Sequence, residues 1–365
     1  MGEWPANSAS VRAEWLDGVL RRNGMLADCK VTGVTATDVG TGVGIMGEVA
    51  RLSIEYDTPD HEGPATVVGK FPTADPTNLG VARALYFYPR EVAFYTKLAK
   101  HSPIRTPRLL HAELDMSDQS FVLLLEDLRN VTHGDQIAGL TPAQAEAAVT
   151  ALARLHGAWW GKVDAAGMEK LFDFANPEYG AAVQAGYRSF LDSALDNAGD
   201  CFSPYTKKVA RGLAPVAARA VEQVSSSWRT LLHGDYRADN LMFGPGLGQD
   251  GVAAVDWQIS GKGGALYDVA YLICNSMPIA YHQRAEKDLL HRYHDTLLQS
   301  GVQGFTFEDC WNAYRFAVLC GLFVAIYTTG GMDVGNERGL NAMRAIARRV
   351  DAAVSQLEVG DLLPR

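Results

Sequence analysis

The sequence predicts an α+β protein in two parts, the first rich in β-strands and the second mainly helical. The chain has 365 residues, which is more than one compact core usually accommodates. Alternating apolar and polar residues predict strands up to about residue 127, whereas helical periodicity dominates from 128 onward. We therefore expect two domains, 1–127 and 128–365.

The composition is that of an ordinary globular protein, with 47% hydrophobic and 21% charged residues. The formal net charge is −9 and no Lys/Arg-rich run is present, which disfavours nucleic acid or an anionic membrane as a partner. The longest apolar run, at 316–327, is shorter than the about 20 residues that a bilayer span needs. We expect this run to be a buried helix.

The five cysteines are scattered and form no C-x-x-C pair, so neither a disulfide framework nor a zinc site is predicted. The N-terminal stretch carries acidic residues and no long apolar core, unlike a secretory signal. Both features favour a cytoplasmic protein with reduced thiols. The sequence gives no prediction of the oligomeric state.

The elements of the first domain follow from local patterns. An amphipathic helix is expected at 9–22 and a second helix at 86–100. The stretch "EVARLSIEY" alternates, as a half-buried strand does. The predicted strands lie at 48–56, 65–71 and 120–128.

The second domain opens with a capping-box helix. Thr141 precedes Pro142, and Gln144 follows at the third helical position, so a helix is expected from there to about Trp160. Further helices are predicted at 180–198, 205–228, 281–299, 307–327 and 336–357. Short strands are predicted at 230–233, 241–243 and 252–257.

The stretch "LLHGDYRADNLMF" places charged and amide side chains between two apolar runs. Asp235 and Asn240 lie on a loop, and Asp256 follows a strand that we expect to pair back as a hairpin. Oxygen-bearing side chains at one end of this hairpin suit Mg²⁺, which usually binds through one or two carboxylates plus phosphate oxygens. The order H-x-D-x-x-x-x-N, then Asp, matches the phosphoryl-transfer template. The alternative is that these residues only form turns and a strand cap.

Two stretches, "HGDYRADN" and "AVDWQISGKGGALYDVAYLI", resemble the aminoglycoside phosphotransferase / choline-kinase-like family. The "DWQ" variant also resembles the ecdysteroid-kinase-like subgroup. The resemblance implies a bilobal protein-kinase-like fold, with an N-lobe of antiparallel sheet plus helix and a mainly helical C-lobe. It implies ATP and Mg²⁺ as cofactors, Asp235 as the catalytic base, and Asn240 and Asp256 as metal ligands.

Two further residues near the motif have alternative interpretations. Asp268 is a helix N-cap by its position, whereas the resemblance implies that it steadies the catalytic loop. His233 is expected to shape this loop through hydrogen bonds, and His156 to be a buried core histidine.

The first domain offers the groups that hold a nucleotide. Gly42, Gly44 and Gly47 form a G-x-G-x-x-G that precedes a strand rather than a helix, which favours a phosphate-covering hairpin over a dinucleotide-binding loop. Lys70 lies on the next strand, and Glu91 is expected to pair with it. The alternative for Lys70 is a snorkelling edge-strand lysine.

The resemblance further implies that Lys70 and Glu91 act together at the α- and β-phosphates. It also places the backbone near Glu126 and Leu128 at the adenine edge. Together with Gly42, Gly44 and Gly47, these residues would form the nucleotide site that the resemblance implies.

The acceptor is expected to be a small-molecule hydroxyl. Protein kinases carry H-R-D, D-F-G and a long activation segment, whereas here only 257–267 separates Asp256 from Asp268. Arg237 is either an acceptor or phosphate contact or an exposed loop residue. Aromatic candidates for an acceptor pocket, which are equally consistent with core positions, are Trp159, Trp160, Tyr187, Phe190, Trp311, Tyr314, Phe316 and Tyr327.

The leading hypothesis is thus an ATP-dependent phosphotransferase acting on a small-molecule hydroxyl. The first alternative is a catalytically silent nucleotide-binding regulator of the same fold. The second is a dinucleotide-dependent oxidoreductase, which rests on the glycine motif alone.

Overall fold

The computed structural model describes residues 4–39, 46–331 and 337–364. The chain forms two compact units. The first comprises Met1–Lys100 with Thr106–Asn130, and the second comprises His101–Arg105 with Val131–Arg365. The predicted α+β class is confirmed, because a sheet dominates the first unit and helices dominate the second.

The first unit is built on a five-stranded antiparallel sheet with the order β1-β2-β3-β5-β4. Its strands are β1 (Val31–Asp38), β2 (Gly47–Tyr56), β3 (Thr66–Pro72), β4 (Leu109–Leu114) and β5 (Phe121–Glu126). The alternation predicted for β2 is present, since Ala50, Leu52 and Ile54 are buried. Strand β3 is central, with a neighbour on each side.

The first unit also contains helices. They are α1 (Ala13–Arg22), α2 (Pro76–Ala84) and α3 (Phe87–Ala93), the last continuing as a π-helical turn (Phe94–Leu98) and a 3₁₀ turn (Ala99–His101). Leu16, Val19 and Leu20 of α1 lie in one hydrophobic core with residues of β2 and β3. Apolar burial of this kind stabilises the unit.

Helix α2 and strand β4 are not predicted from the sequence. Helix α2 does carry a start signal, because the Asp75 carboxylate accepts a hydrogen bond from the backbone of Asn78 at 2.8 Å and Pro76 follows at the first helical position. Its weak amphipathicity hides it from a periodicity search.

The second unit is mainly helical. Its helices are α4 (Pro142–Trp159), α5 (Pro177–Ala198), α6 (Pro204–Leu213), α7 (Ala217–Ser226), α8 (Leu266–Ser276), α9 (Ile279–Gln299), α10 (Phe307–Gly331) and α11 (Glu337–Gln356). The capping box of Thr141 and Gln144 is present at the start of α4. The single helix predicted at 205–228 is wrong: it is broken between α6 and α7, where Pro215 lacks the backbone N–H that a continuous helix needs.

Helix α10 contains the apolar run. By length and composition it could cross a membrane, and 67% of its apolar window is buried inside the structure. Tyr314, Val318, Leu322 and Ile326 are among its buried residues. The expectation of a buried helix at 316–327 is therefore confirmed.

Two small sheets complete the second unit, with the orders β10-β9-β6 and β7-β11-β8. The strands are β6 (Thr132–His133), β7 (Phe172–Asp173), β8 (Arg229–Leu232), β9 (Leu241–Phe243), β10 (Val252–Ala254) and β11 (Gly261–Gly264). The strand predicted at 252–257 ends early, because Trp257–Ile259 is a 3₁₀ turn.

The hairpin of β9 and β10 pairs Leu241 with Ala254. Beyond this pair, the backbone N–H of Val255 donates to the carbonyl of Asn240 at 3.0 Å. Asn240 and Asp256 therefore lie at the same end of the hairpin, as the sequence predicts.

Candidate active site

The candidate catalytic loop connects β8 to β9. Asn240, in the 3₁₀ turn Ala238–Asn240, donates through Nδ2 to the backbone carbonyl of Asp235 at 2.9 Å and to its Oδ2 at 2.8 Å. Asp235 and Asn240 are 8% and 5% exposed. Because Nδ2 makes both hydrogen bonds, the amide oxygen of Asn240 is the end that remains for a cation.

Asp256 follows β10 in a left-handed backbone conformation, with φ of 65°. Such a conformation is uncommon outside glycine and is tolerated best by Asn and Asp. Gln258 donates through Nε2 to Asp256 Oδ2 at 3.2 Å. The turn thus bends the chain directly after the hairpin and places this carboxylate at the end where Asn240 lies.

Asp268 anchors the catalytic loop. Helix α8 begins at Leu266 after an Ala265 cap, so the interpretation of Asp268 as an N-cap is wrong. Its fully buried carboxylate instead accepts from the backbone N–H of His233 at 2.7 Å and of Gly234 at 2.9 Å. Gly234 has φ of 84°, and a Cβ there would collide with the backbone of Ile259. The loop therefore depends on both a buried anion and a glycine.

His233 shapes the loop through both ring nitrogens, as expected. Nε2 lies 3.0 Å from the carbonyl of Val255, and the backbone N–H of Asp235 donates to Nδ1 at 3.3 Å. A carbonyl partner at Nε2 and a donor at Nδ1 assign the neutral tautomer with the proton on Nε2. Burial lowers the pKa of His233, although the nearby charges of Asp268 and Asp235 act in the opposite direction. The lowered pKa favours the neutral ring.

His156 is a buried core histidine, as expected. Its Nδ1 lies 2.7 Å from the hydroxyl of Tyr293, and its Nε2 lies 3.4 Å from Asp268 Oδ2. It therefore supports the anchor of the loop from the side of α4.

Arg237 lies between two carboxylates, and its interpretation as an exposed loop residue is wrong. Its Nε donates to Asp235 Oδ2 at 3.2 Å and its Nη1 to Asp239 Oδ2 at 3.0 Å, with 19% of the side chain exposed. Burial by itself lowers the pKa of Arg237, but the negative charges of Asp235 and Asp239 outweigh it and the pKa is raised. The guanidinium is thus a fixed positive charge beside the candidate base.

The first unit contains the ion pair that the sequence predicts. Lys70 Nζ lies 2.5 Å from Glu91 Oε1, and their side chains are 11% and 1% exposed. Because β3 is central in its sheet, the alternative of an edge-strand lysine is wrong. The π-helical turn Phe94–Leu98 follows α3, the helix that carries Glu91, and such turns are frequent at functional sites.

The glycine motif lies between two antiparallel strands. Gly47 begins β2, whereas Gly42 and Gly44 lie outside the described residues. The flanking strands pair Asp38 with Ala50. A dinucleotide-binding loop would open a helix instead, so the arrangement of β1 and β2 does not match that alternative.

Glu126 and Leu128 lie at and just beyond the end of β5, and both are partly buried. Glu126 Oε2 accepts from the backbone of Arg108 at 3.0 Å. Asp127, between them, accepts from Arg51 Nε at 2.7 Å. These contacts fix the end of β5, and the role of its backbone toward adenine stays a prediction.

Sequence reasoning missed an aromatic cluster that reaches Asp235 through Tyr271. Burial first, and then the charge and hydrogen bond of Asp235, raise the pKa of Tyr271 well above its ordinary value. Ring contacts lead from Tyr271 through Tyr267 to Phe174, and the cluster is Phe172, Phe174, Tyr179, Tyr267 and Tyr271. The one-turn spacing of the two tyrosines on α8 was its only sequence signal.

Of the eight aromatic residues proposed from sequence, three are buried, and the other five are partly exposed. Trp159, Tyr187 and Tyr314 are 8%, 0% and 0% exposed, which makes them core residues. Tyr187 donates its hydroxyl to the carbonyl of Ala210 at 3.1 Å, as buried tyrosines usually find a partner.

The candidate metal ligands are few. Within the described part of the chain, no group of three or more His, Cys, Asp or Glu side chains is arranged to hold a metal ion. One carboxylate and one amide, from Asp256 and Asn240, fit a cation that completes its coordination with phosphate and water oxygens, as Mg²⁺ does.

Comparisons with known proteins agree with this architecture. A choline kinase from Cryptosporidium parvum Iowa II superposes with a TM-score of 0.56 at 10% identity, covering 95% of this chain and 96% of that one. A protein from Ralstonia eutropha JMP134, described as an aminoglycoside phosphotransferase, gives 0.52 at 16% identity, covering 97% and 99%. These likenesses establish the protein-kinase-like fold that the sequence predicts.

Sequence comparisons give the family. A search of curated proteins finds no significant match. The model of the ecdysteroid kinase-like family matches residues 41–302. Since this segment covers well over half of the 365 residues, the chain belongs to the ecdysteroid kinase-like family.

Proposed function

We propose that the protein is a small-molecule kinase that transfers the γ-phosphoryl group of ATP to a hydroxyl of its acceptor, with Mg²⁺ as cofactor. The observation that carries this proposal is the pair Asp235 and Asn240, joined at 2.8 Å on a loop whose backbone is held by Asp268. Membership of a kinase-like family supports it.

In this proposal the second unit performs the catalysis. Asp235 orients the acceptor hydroxyl and takes its proton as the new O–P bond forms. Asn240 and Asp256 hold Mg²⁺, which neutralises charge on the phosphates when it is bound. Because the transition state of phosphoryl transfer is loose, positioning contributes most of the rate. The hydrogen bonds to Asp268 supply that rigidity.

The first unit binds the nucleotide in this proposal. Lys70 contacts the α- and β-phosphates while Glu91 holds its ammonium group in place. A buried lysine with one acidic partner keeps its charge and its direction. The backbone near Glu126 and Leu128 meets the adenine, and Gly42, Gly44 and Gly47 cover the phosphates.

The acceptor is proposed to be a small molecule rather than a protein. Only the 3₁₀ turn, β11 and the start of α8 lie between Asp256 and Asp268, so this segment has no long activation loop to bind a peptide. The partly exposed tyrosines of the aromatic cluster offer ring surfaces beside Asp235.

The test is phosphorylation of a panel of hydroxylated metabolites and antibiotics with Mg²⁺ and radiolabelled ATP. We expect a phosphorylated product with the wild type and a loss of at least a hundredfold in rate with Asp235→Asn. Asp288→Asn, at an exposed position of α9, is the matched control and should retain full activity.

Two outcomes contradict the proposal. Binding of ATP without any turnover would favour the silent nucleotide-binding regulator. A product that forms equally well with Asp235→Asn would show that Asp235 is not the base. Thermal-shift measurements with Mg²⁺ and a non-hydrolysable ATP analogue show whether the nucleotide binds when no product forms, because a ligand of the native state raises its apparent stability.

A further inference from the structure

Arg237 is the cation closest to the candidate base among the described side chains that contact Asp235. Its Nε lies 3.2 Å from Asp235 Oδ2, and its Nη1 lies 3.0 Å from Asp239 Oδ2. Asp239 is itself fixed, because its Oδ1 accepts from the backbone of Gln136 at 2.9 Å and its side chain is 8% exposed. Two anchored carboxylates therefore set the plane and the direction of the guanidinium.

The guanidinium keeps donors for a ligand. An arginine carries five N–H donors in a planar fork, and within the described residues the protein acceptors of Arg237 engage only Nε and Nη1. The Nη2 group therefore has both of its N–H bonds available. With 19% of its side chain exposed, Arg237 is not sealed from solvent.

The distance between Arg237 and Asp235 indicates which part of a bound molecule the guanidinium can reach. The acceptor hydroxyl lies about 2.7 Å from the base that takes its proton, and the phosphoryl group adds to that same oxygen. A guanidinium 3.2 Å from Asp235 Oδ2 is therefore within reach of the equatorial phosphoryl oxygens. Its planar fork matches phosphate geometry, and its charge is permanent at neutral pH.

We propose that Arg237 is a further catalytic residue, which donates hydrogen bonds to the phosphoryl group during its transfer. The inference rests on the proposed kinase function. As the acceptor oxygen–phosphorus bond forms, the bond to the β-phosphate oxygen breaks and ADP leaves with its electron pair. Asp235 takes the hydroxyl proton, and Arg237 exchanges none. Arginine side chains play this part in other phosphoryl-transfer enzymes.

The experiment measures binding of Mg–ADP by calorimetry, with and without aluminium fluoride, which mimics the phosphoryl group in flight. In the wild type, aluminium fluoride is expected to tighten Mg–ADP binding. Arg237→Gln should lose at least tenfold of that gain while its affinity for Mg–ADP alone stays within about twofold. Arg237→Lys should keep part of the gain, because it retains the charge but loses the fork.

Arg338→Gln is the matched control. Arg338 Nη2 also approaches Asp239 Oδ1, at 3.5 Å, and its side chain is 44% exposed. Within the described residues, the hydrogen-bond and salt-bridge contacts of Arg338 are to Asp239 and Asp135. This variant perturbs the same carboxylate and should leave the aluminium fluoride gain unchanged.

Each other outcome overturns the inference. A full gain in Arg237→Gln would show that the guanidinium serves the fold or an anionic group of the acceptor. A wild type that binds Mg–ADP but gains nothing from aluminium fluoride would show that no such donor faces the phosphoryl position. A wild type that does not bind Mg–ADP at all would instead refute the proposed kinase function on which the inference rests.

Discussion

Asp268→Asn is expected to loosen the catalytic loop without unfolding the protein. The wild-type carboxylate accepts hydrogen bonds from the backbone N–H groups of His233 at 2.7 Å and Gly234 at 2.9 Å. All three residues are buried. An asparagine of the same shape offers one acceptor oxygen, and its NH₂ group faces the other donor. One hydrogen bond to a charged group is therefore lost.

The magnitude follows from that single bond. A hydrogen bond to a charged group contributes about 1.5–3 kcal/mol, and a buried donor left without a partner costs a similar amount. Since about 1.4 kcal/mol corresponds to a factor of ten, the loop should open roughly ten to a hundred times more often.

Hydrogen–deuterium exchange followed by mass spectrometry tests this directly. Peptides that span 229–240 should exchange roughly ten to a hundred times faster in Asp268→Asn, and peptides from β2 and β3 should exchange at the wild-type rate. Asp288→Asn, at an exposed site, supplies the control for a simple loss of charge. Unchanged exchange over 229–240 would refute the view that Asp268 holds the loop.

Two further predictions concern stability. Lys70→Met removes the ammonium group 2.5 Å from the buried Glu91 carboxylate. It should lower the free energy of unfolding of the first unit by about 3 kcal/mol, an effect that adding Glu91→Leu largely reverses in urea denaturation. Gly264→Ala would press a Cβ onto the backbone carbonyl of Val224, whereas the matched change Gly80→Ala meets open space in α2; calorimetric melting should show a loss of at least 2 kcal/mol for the first and none for the second.

The sequence by itself determined the chemistry of the candidate loop. The spacing of Asp235, Asn240 and Asp256 predicts their approach, because a hairpin register follows from local alternation and turn chemistry. The Lys70–Glu91 pair was also readable, since a lysine within an apolar strand needs an anionic partner. The first prediction follows from spacing within a short stretch, and the second from the burial of a charged side chain. Both can therefore be made from the residue types alone.

Other features were hidden because they depend on segments far apart in the chain. Asp268 and Gly234 are joined by a hydrogen bond across 34 positions, and nothing near Asp268 distinguishes an anchor from an N-cap. The aromatic cluster brings rings from 172–179 to α8, as its contacts show. Helix α2 was missed because its pattern is only weakly amphipathic.

Arg237 illustrates most clearly which features the sequence predicts and which depend on the tertiary structure. Residue order places a cation two positions after Asp235, and either an exposed or a buried side chain fits that order. Only the tertiary structure decided between them, because the fixed Asp239 and the surrounding burial hold the guanidinium in one direction. The sequence determined which groups are present, whereas packing between distant segments determined where they point and which donors remain for a substrate.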